Sequence, residues 1–434
     1  MFSLEESATP LGHEMRKYFS FAPGYRNLNH GSFGTFPMAI RQKADELRTQ
    51  CEERPCAFLK YQYDVLLEES RAAMAAFLNV PVSTIVFVMN ATTGVNTVLR
   101  NLDWCDSDEI IQLDVIYGAC GKSTEYVCES NNDHVRTREV CVHYPVEDDH
   151  LVSAFRDAIH ASRRAGRTPR IAIFDTVCSN PGIRLPFEAL TALCRAEGVL
   201  SLIDAAHGVG HVALDLAALD PDFLVSNCHK WLFTPRGCAV FYVPHRNQAM
   251  MRSTLPTSNG FVPRSARDPT SDDPTDFVRN FAFVGTFDNI PFLTVPAAIA
   301  WRHHVCGGES RIRAYCTNLA REGGRRVAEI LGTTVLDNAT HTHTDCCLVN
   351  VRLPIQAGYS VRLTWKGEPA TPTDWMQKTL IEDYHTFLPV FPFQDEWWVR
   401  LSGQIYLEMS DFEWAGHTLV ELCRRFQDAL SNVD

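Results

Sequence analysis

The chain lacks the features of a secreted or membrane protein. It begins Met1-Phe-Ser-Leu-Glu-Glu-Ser, with acids where a secretory leader carries bases, and no apolar segment follows. No apolar run is long enough to span a bilayer. These absences predict a cytoplasmic protein with no membrane partner. Positive charge is also short: 40 Lys and Arg face 52 Asp and Glu, a formal net charge of -12 at pH 7. That argues against a nucleic-acid partner, because neutralising phosphates needs a cationic surplus on one face. Internal repeats and low-complexity tracts are missing. Cysteine, at 15 residues, is plentiful but scattered, often inside apolar runs such as Cys238-Ala-Val-Phe-Tyr-Val243. Without a leader these read as free thiols, not a disulfide framework. The 434 residues, 45% hydrophobic and 21% charged, suffice for a large core and more than one domain.

Residues 1–36 read as an N-terminal arm, punctuated by Gly and Pro in Asn29-His-Gly-Ser-Phe-Gly-Thr-Phe-Pro37. Helical patterns follow at 38–54, with Pro55 as a break, and at 64–78. Apolar strands at 85–89, 110–113, 171–175, 200–204, 223–226 and 238–243 then alternate with helical stretches such as 151–164 and 187–197. This alternation predicts an α/β fold with a mainly parallel sheet covered on both faces. Residues 256–276 read as a long loop, either disordered or part of a site or an interface. Helices at 296–304 and 311–331, strands at 346–353 and 397–402 and a last helix at 412–429 predict a smaller α+β domain. The expected division is an arm over 1–36, a large domain over 37–294 and a small domain over 295–434.

The most informative segment is Phe223-Leu-Val-Ser-Asn-Cys-His-Lys-Trp-Leu-Phe-Thr-Pro-Arg-Gly-Cys-Ala-Val-Phe-Tyr-Val243. It wedges Lys230 between apolar strands and beside an indole, where a solvated or snorkelling lysine is one reading and a reactive amine the other. Upstream, Leu200-Ser-Leu-Ile-Asp-Ala-Ala-His207 puts Asp204 at the end of a buried strand, where parallel sheets bind ligands. A helix N-cap is the bland alternative for Asp204. A carboxylate there can keep a pyridine nitrogen protonated, as the electron sink of pyridoxal 5′-phosphate (PLP) requires. Val86-Phe-Val-Met-Asn-Ala-Thr-Thr-Gly94 runs from a strand into a helix start, whose N–H groups, with the Thr92 and Thr93 hydroxyls, suit a phosphate.

Taken together, these motifs resemble the class V aminotransferase family of fold-type-I PLP enzymes, over nearly the whole chain. That family also holds cysteine desulfurases and isopenicillin N epimerase-like proteins. Asn90-Ala-Thr-Thr93, Ile203-Asp-Ala-Ala-His207, Asn227-Cys-His-Lys-Trp231, Phe283-Val-Gly-Thr286 and Arg400-Leu-Ser402 carry the resemblance in order. It implies that Lys230 holds the cofactor as a Schiff base, that Asp204 pairs with its ring nitrogen and that His207 lies near its ring hydroxyl. Ser179 or Asn180 reaches the same hydroxyl, an alignment ambiguous by one residue. Thr92, Thr93 and His229 face the phosphate. Thr286 reaches the phosphate of a neighbouring subunit, implying a homodimer. Arg400, with Asn29 and His30, binds the substrate, the guanidinium pairing with its α-carboxylate; a structural salt bridge is the alternative for Arg400. No metal is implied.

Within that family the chain resembles the fungal hercynylcysteine sulfoxide lyases of ergothioneine biosynthesis. The stretches that carry this are Tyr25-Arg-Asn-Leu-Asn-His-Gly-Ser-Phe-Gly34, Glu53-Arg-Pro-Cys56, Ile116-Tyr-Gly-Ala-Cys-Gly-Lys122, residues 227–243, and Tyr406-Leu-Glu-Met-Ser-Asp-Phe-Glu-Trp414. The resemblance implies β-elimination at a C–S bond of an amino-acid-derived substrate. Lys230 removes the α-proton, the sulfur group leaves as a sulfenic acid, and the remainder decays to pyruvate and ammonia. Tyr117 would cover the cofactor ring, either stacking alone or also giving a proton to the leaving sulfur. The alternatives are a cysteine desulfurase, an epimerase or cyclase of fungal secondary metabolism, and a binding protein on the same scaffold. A desulfurase needs a mobile nucleophilic thiol, and its candidates Cys346 and Cys347 precede an apparent strand, where burial is expected. The cluster His341, His343, Cys346 and Cys347 fits no zinc spacing. Residues 354–375 read shorter than expected for the close relatives, near the substrate mouth.

Overall fold

The computed structural model describes residues 8–253, 255–257, 261–266, 275–356 and 362–431. Seven strands make the main sheet: β1 (Ile85–Val88), β2 (Asp108–Leu113), β3 (Arg136–Val140), β4 (Thr168–Asp175), β5 (Leu200–Asp204), β6 (Phe223–Asn227) and β7 (Ala239–Tyr242). Their spatial order is β1-β7-β6-β5-β4-β2-β3. Strands β2 to β6 are parallel, and β7 runs antiparallel to both of its neighbours. The near-continuous apolar runs are explained by burial on both faces. Alternate residues supply two cores: Ile111, Phe174, Ile203 and Leu224 pack on one side, and Ile110, Ile173, Leu202 and Val225 on the other. This is the α/β, fold-type-I architecture expected from the sequence.

Strand β3 was not expected. Its Arg136-Thr-Arg-Glu-Val140 is polar because the strand lies at the sheet edge, where Arg138 Nε donates to Glu109 Oε2 at 2.7 Å. The break expected at Pro55 is present: the helix Met38–Glu53 stops before Arg54, which lies at φ -148° and ψ 66°, and Pro55 starts a new one. It opens the segment Pro55–Ala57, which runs through a π turn, Phe58–Gln62, into the helix Tyr63–Leu78. A first helical position needs no N–H, so proline fits there.

After the helices Val295–His304 and Glu309–Leu331 come β8 (Leu348–Arg352), β9 (Leu363–Trp365), β10 (Glu368–Ala370), β11 (Val390–Phe393) and β12 (Glu396–Ser402), then the helix Met409–Ser431. Strands β8, β12 and β11 form a separate antiparallel sheet with β12 in the middle, and β9 and β10 pair with each other. Residues 258–260 and 267–274 of the expected 256–276 loop lie outside the described residues, as do 357–361 of the 354–375 segment. Among the described residues no helix is long and apolar enough to cross a membrane. All fifteen cysteines are free thiols.

Candidate active site

Three parallel strands end on polar residues at one edge of the sheet: β4 on Asp175, β5 on Asp204 and β6 on Asn227. Parallel sheets place ligands outside the carboxyl ends of their strands. Chain leaving β6 turns at once into the helix Cys228–Trp231, which carries His229 and Lys230. Asn227 Oδ1 accepts from Ala91 N at 2.9 Å, tying that turn to the start of the helix Ala91–Asn101. In the same helix start, Asn90 Oδ1 takes both the N–H of Thr93, at 2.8 Å, and its hydroxyl, at 3.0 Å. Thr93 is therefore a capping residue. Thr92 keeps its hydroxyl and N–H at the positive end of the helix dipole.

Lys230 is partly buried. Its Nζ lies 3.0 Å from His207 Nε2, while Trp231 Nε1 donates to His207 Nδ1 at 3.1 Å. Burial, followed by the charge of Arg400, lowers Lys230 to about 8, against the opposing pull of Asp204 and Asp175. His207 is held far below the usual histidine range, first by burial and then by Lys230. His229 donates Nδ1–H to the Cys238 carbonyl at 3.0 Å, and burial lowers it to about 4.

Asp204 is buried and accepts from Ala206 N at 2.9 Å and from Cys120 Sγ at 3.1 Å. Asp175 is its register neighbour on β4, and burial together with Asp204 raises the Asp175 carboxyl well above the usual range. Cys120 belongs to the helix Gly118–Ser130, whose N-cap is Tyr117. The Tyr117 carbonyl accepts from Cys120 N at 2.8 Å, and its side chain is 46% exposed, so the phenol is open at the rim while Cys120 points inward.

Arg400, on the middle strand β12 of the smaller sheet, forms the opposite wall. Nη2 donates to Ser32 Oγ at 2.7 Å and Asn29 Oδ1 at 3.1 Å, and Nη1 donates to the Ser179 carbonyl. Nε has no hydrogen-bond partner among the described residues, and burial lowers the group to about 10. Its hydrogen-bond partners are neutral, so the buried cation is left without a counterion among the described hydrogen bonds, an arrangement suited to an incoming carboxylate. Ser179 is occupied by Arg400, whereas Asn180 is exposed.

His30 is placed differently from a substrate ligand. It is fully buried, with Nε2 donating to the Lys230 carbonyl at 2.5 Å and Nδ1 3.0 Å from the Tyr406 hydroxyl. Burial lowers it to about 3. Both ring nitrogens are engaged by protein, so it fixes the lysine turn and has none to offer a substrate. Gly34, at φ 64°, seats the same short helix: a Cβ there would lie 1.9 Å from the His229 carbonyl oxygen. Thr286 stands exposed in the turn before the helix Ile290–Leu293 and shares no hydrogen bond with the other candidates among the described residues.

Cys120, Asp175, Asn227, Trp231 and Ser32 were not singled out from the sequence. For Asp175 a signal existed: like Asp204, it is an acid closing an apolar strand. For Cys120 none did, because its contact with Asp204 spans 84 residues.

The donor set fits PLP: a partly buried amine for an aldehyde, a buried carboxylate for a ring nitrogen, and a helix N-terminus for a phosphate. The chain belongs to the class V aminotransferase family, whose model matches residues 57–354, and the cofactor of that family is PLP. It is similar to the L-cysteine desulfhydrase-like protein lolT1 of Epichloe uncinata, 38% identical over 95% of this chain and 96% of that protein. It is also similar to the hercynylcysteine sulfoxide lyase of Schizosaccharomyces pombe, 32% identical over 95% of this chain and 98% of that one. Among solved structures, a variant of C-DES with glycine covalently linked to its PLP cofactor matches with a TM-score of 0.75 at 18% identity, over 94% of this chain and 98% of that chain. At that identity the likeness speaks for the fold.

Proposed function

We propose that the protein is a PLP-dependent carbon–sulfur lyase that cleaves hercynylcysteine sulfoxide by β-elimination. The observation that carries the reading is Lys230, a partly buried amine 3.0 Å from His207 Nε2, lowered to about 8 and set between Asp204 and the Arg400 wall. Bound PLP supplies an aldehyde for that amine and a ring that draws electrons from the substrate α-carbon. Asp204 holds the proton on the ring nitrogen. Thr92 and His229 face the phosphate, and Asn180 reaches the ring hydroxyl. Arg400 exchanges the Ser32 and Asn29 oxygens for the substrate carboxylate. Lys230 takes the α-proton. Tyr117, open at the rim, gives a proton to the leaving sulfur oxygen. The C–S bond breaks with its electron pair on sulfur, which departs as a sulfenic acid; one water completes the conversion of the remainder to pyruvate and ammonia. An external thiol then reduces the sulfenic acid. The active form is a cytoplasmic homodimer, with Thr286 reaching the partner's phosphate.

The cysteines favour elimination over sulfur transfer. Cys346 and Cys347 are buried and fixed immediately before β8; burial raises Cys346 to about 12, whereas Cys347, against its burial, is held well below the usual thiol range by the Cys316 and His211 side chains. Cys120, inside the site, is raised far by burial and by Asp204. Neither position offers a mobile thiolate. The similarity to lolT1 supports a second reading with the same residues, in which free L-cysteine is the substrate and sulfide leaves.

The test is to incubate the purified holoenzyme separately with hercynylcysteine sulfoxide and with L-cysteine, measuring pyruvate, sulfide and alanine. Pyruvate with a thione product supports the proposal, and pyruvate with sulfide from cysteine alone selects the second reading. Alanine without pyruvate sinks elimination. Lys230→Ala should abolish turnover and the visible absorption of the bound cofactor. Tyr117→Phe should slow sulfoxide cleavage by about 10²-fold if the phenol is the acid.

A further inference from the structure

Two hydrogen bonds meet on the His207 ring. An indole N–H can only donate, so the contact of Trp231 Nε1 with His207 Nδ1 at 3.1 Å makes Nδ1 an acceptor. Nδ1 then carries no hydrogen, and the neutral ring has its single N–H on Nε2. That N–H faces Lys230 Nζ at 3.0 Å. An ammonium opposite an N–H donor has nothing to offer it; a free amine has a lone pair. We infer that Trp231 is a positioning residue: by fixing the tautomer of His207, it presents Lys230 as the free amine. The inference rests on the proposed role of Lys230 in binding the cofactor aldehyde.

The surroundings hold Trp231 in place for this. Its ring stacks on His211 at 4.0 Å between centroids, and its carbonyl accepts from Arg302 Nη1 at 2.7 Å. His211 is itself anchored, Nδ1 donating to the His207 carbonyl at 2.9 Å and Nε2 accepting from Cys347 N at 2.7 Å. The indole and the His211 ring stacked on it are therefore both held in place. The other charged or titratable groups facing Lys230 are Arg400, from β12, which disfavours the ammonium, and Asp204, Asp175 and Cys120, which favour it. His229 adjoins Lys230 in the chain and is itself lowered to about 4 by burial. The Nε2–H donor adds to the side of burial and Arg400. An imidazole free to place its hydrogen on Nδ1 would instead turn a lone pair toward Lys230 and shelter the ammonium.

The experiment uses cofactor-stripped full-length protein and PLP. Condensation joins Nζ to the aldehyde carbon with loss of water, and its rate follows the free-amine fraction, so absorbance stopped-flow across pH reads the state of Lys230. Trp231→Phe keeps the aromatic stack and removes the N–H. The expected result is a displacement of the rate–pH profile to higher pH by about one unit, and a rate about tenfold lower on its rising limb. A Trp231→Phe profile superimposable on wild type overturns the inference. Because Trp231→Phe can also loosen the fold, long-range 1H–15N NMR on histidine-labelled wild-type apo-protein reads the tautomer directly: a hydrogen on His207 Nε2 supports the inference, and one on Nδ1 overturns it. If wild type forms no imine at Lys230 at any pH, the functional reading fails first, an outcome distinct from an unshifted variant.

Discussion

Cys120 Sγ lies 3.1 Å from Asp204 Oδ2, a buried thiol donating to a buried carboxylate. Burial and the neighbouring Asp204 and Asp175 carboxyls all favour the protonated thiol. Cys120→Ala should leave Asp204 Oδ2 without its donor and lower apo-protein stability by about 1–3 kcal/mol. Cys120→Ser should recover part of the loss. Denaturant titration checks both, and a Cys120→Ala midpoint equal to wild type would rule out a stabilising contact.

Arg400→Lys retains a charge but loses the planar fork that matches a carboxylate. A drop of about 10–100-fold in kcat/KM is expected, corresponding to about 1.5–3 kcal/mol for a charge-assisted pair. Steady-state kinetics, with the bound-cofactor spectrum as a control for folding, is the check. An unaltered kcat/KM would remove Arg400 from the carboxylate site.

Gly34→Ala forces a Cβ to within 1.9 Å of the His229 carbonyl oxygen, at a φ of 64°. Backbone strain and the clash together should cost on the order of 3 kcal/mol. The expected readouts are a lower unfolding midpoint and weaker cofactor retention on dialysis, because the displaced carbonyl belongs to the residue before Lys230. Wild-type values for both would contradict the packing described.

His229, lowered to about 4 by burial, is neutral at pH 7 and has spent its Nδ1–H on the Cys238 carbonyl. Its Nε2 is then an acceptor, the wrong polarity for a phosphate. A dianion arriving there should raise the pKa and draw a proton onto Nε2, so affinity should fall as pH rises through the pKa of the complex. Calorimetry in two buffers of different ionisation enthalpy, using a pyridoxine phosphate without the aldehyde, should show proton uptake that His229→Gln abolishes. Equal heats in both buffers with wild type would separate His229 from the phosphate.

The parallel sheet was legible because strands such as 171–175 and 200–204 are buried on both faces and read as unbroken apolar runs. β3 was not, since an edge strand tolerates the charges of Arg136 and Arg138. Lys230, Asp204 and Arg400 stood out by residue type against their apolar surroundings. Ser32 and Trp231 did not, because their importance lies in what they touch: Ser32 reaches Arg400 across 368 residues of chain, and Trp231 reaches His207 across 24. His30 was misread for the same reason. Its role was carried over from the resemblance, which does not show the carbonyl and the phenol that meet its two nitrogens.

The guanidinium of Arg400 and the amine of Lys230 are anchored in different sheets. In the proposed reaction, bond-breaking and the gripping of an amino acid's polar end thereby fall to separate mechanical parts. A lineage can reshape the loops and strands around β12, and so exchange one acceptable molecule for another, while the proton-handling machinery around β5 and β6 stays untouched. Under the proposed roles, such a division would let substitutions near β12 that spare Arg400 alter substrate affinity while leaving the pKa of Lys230 in place.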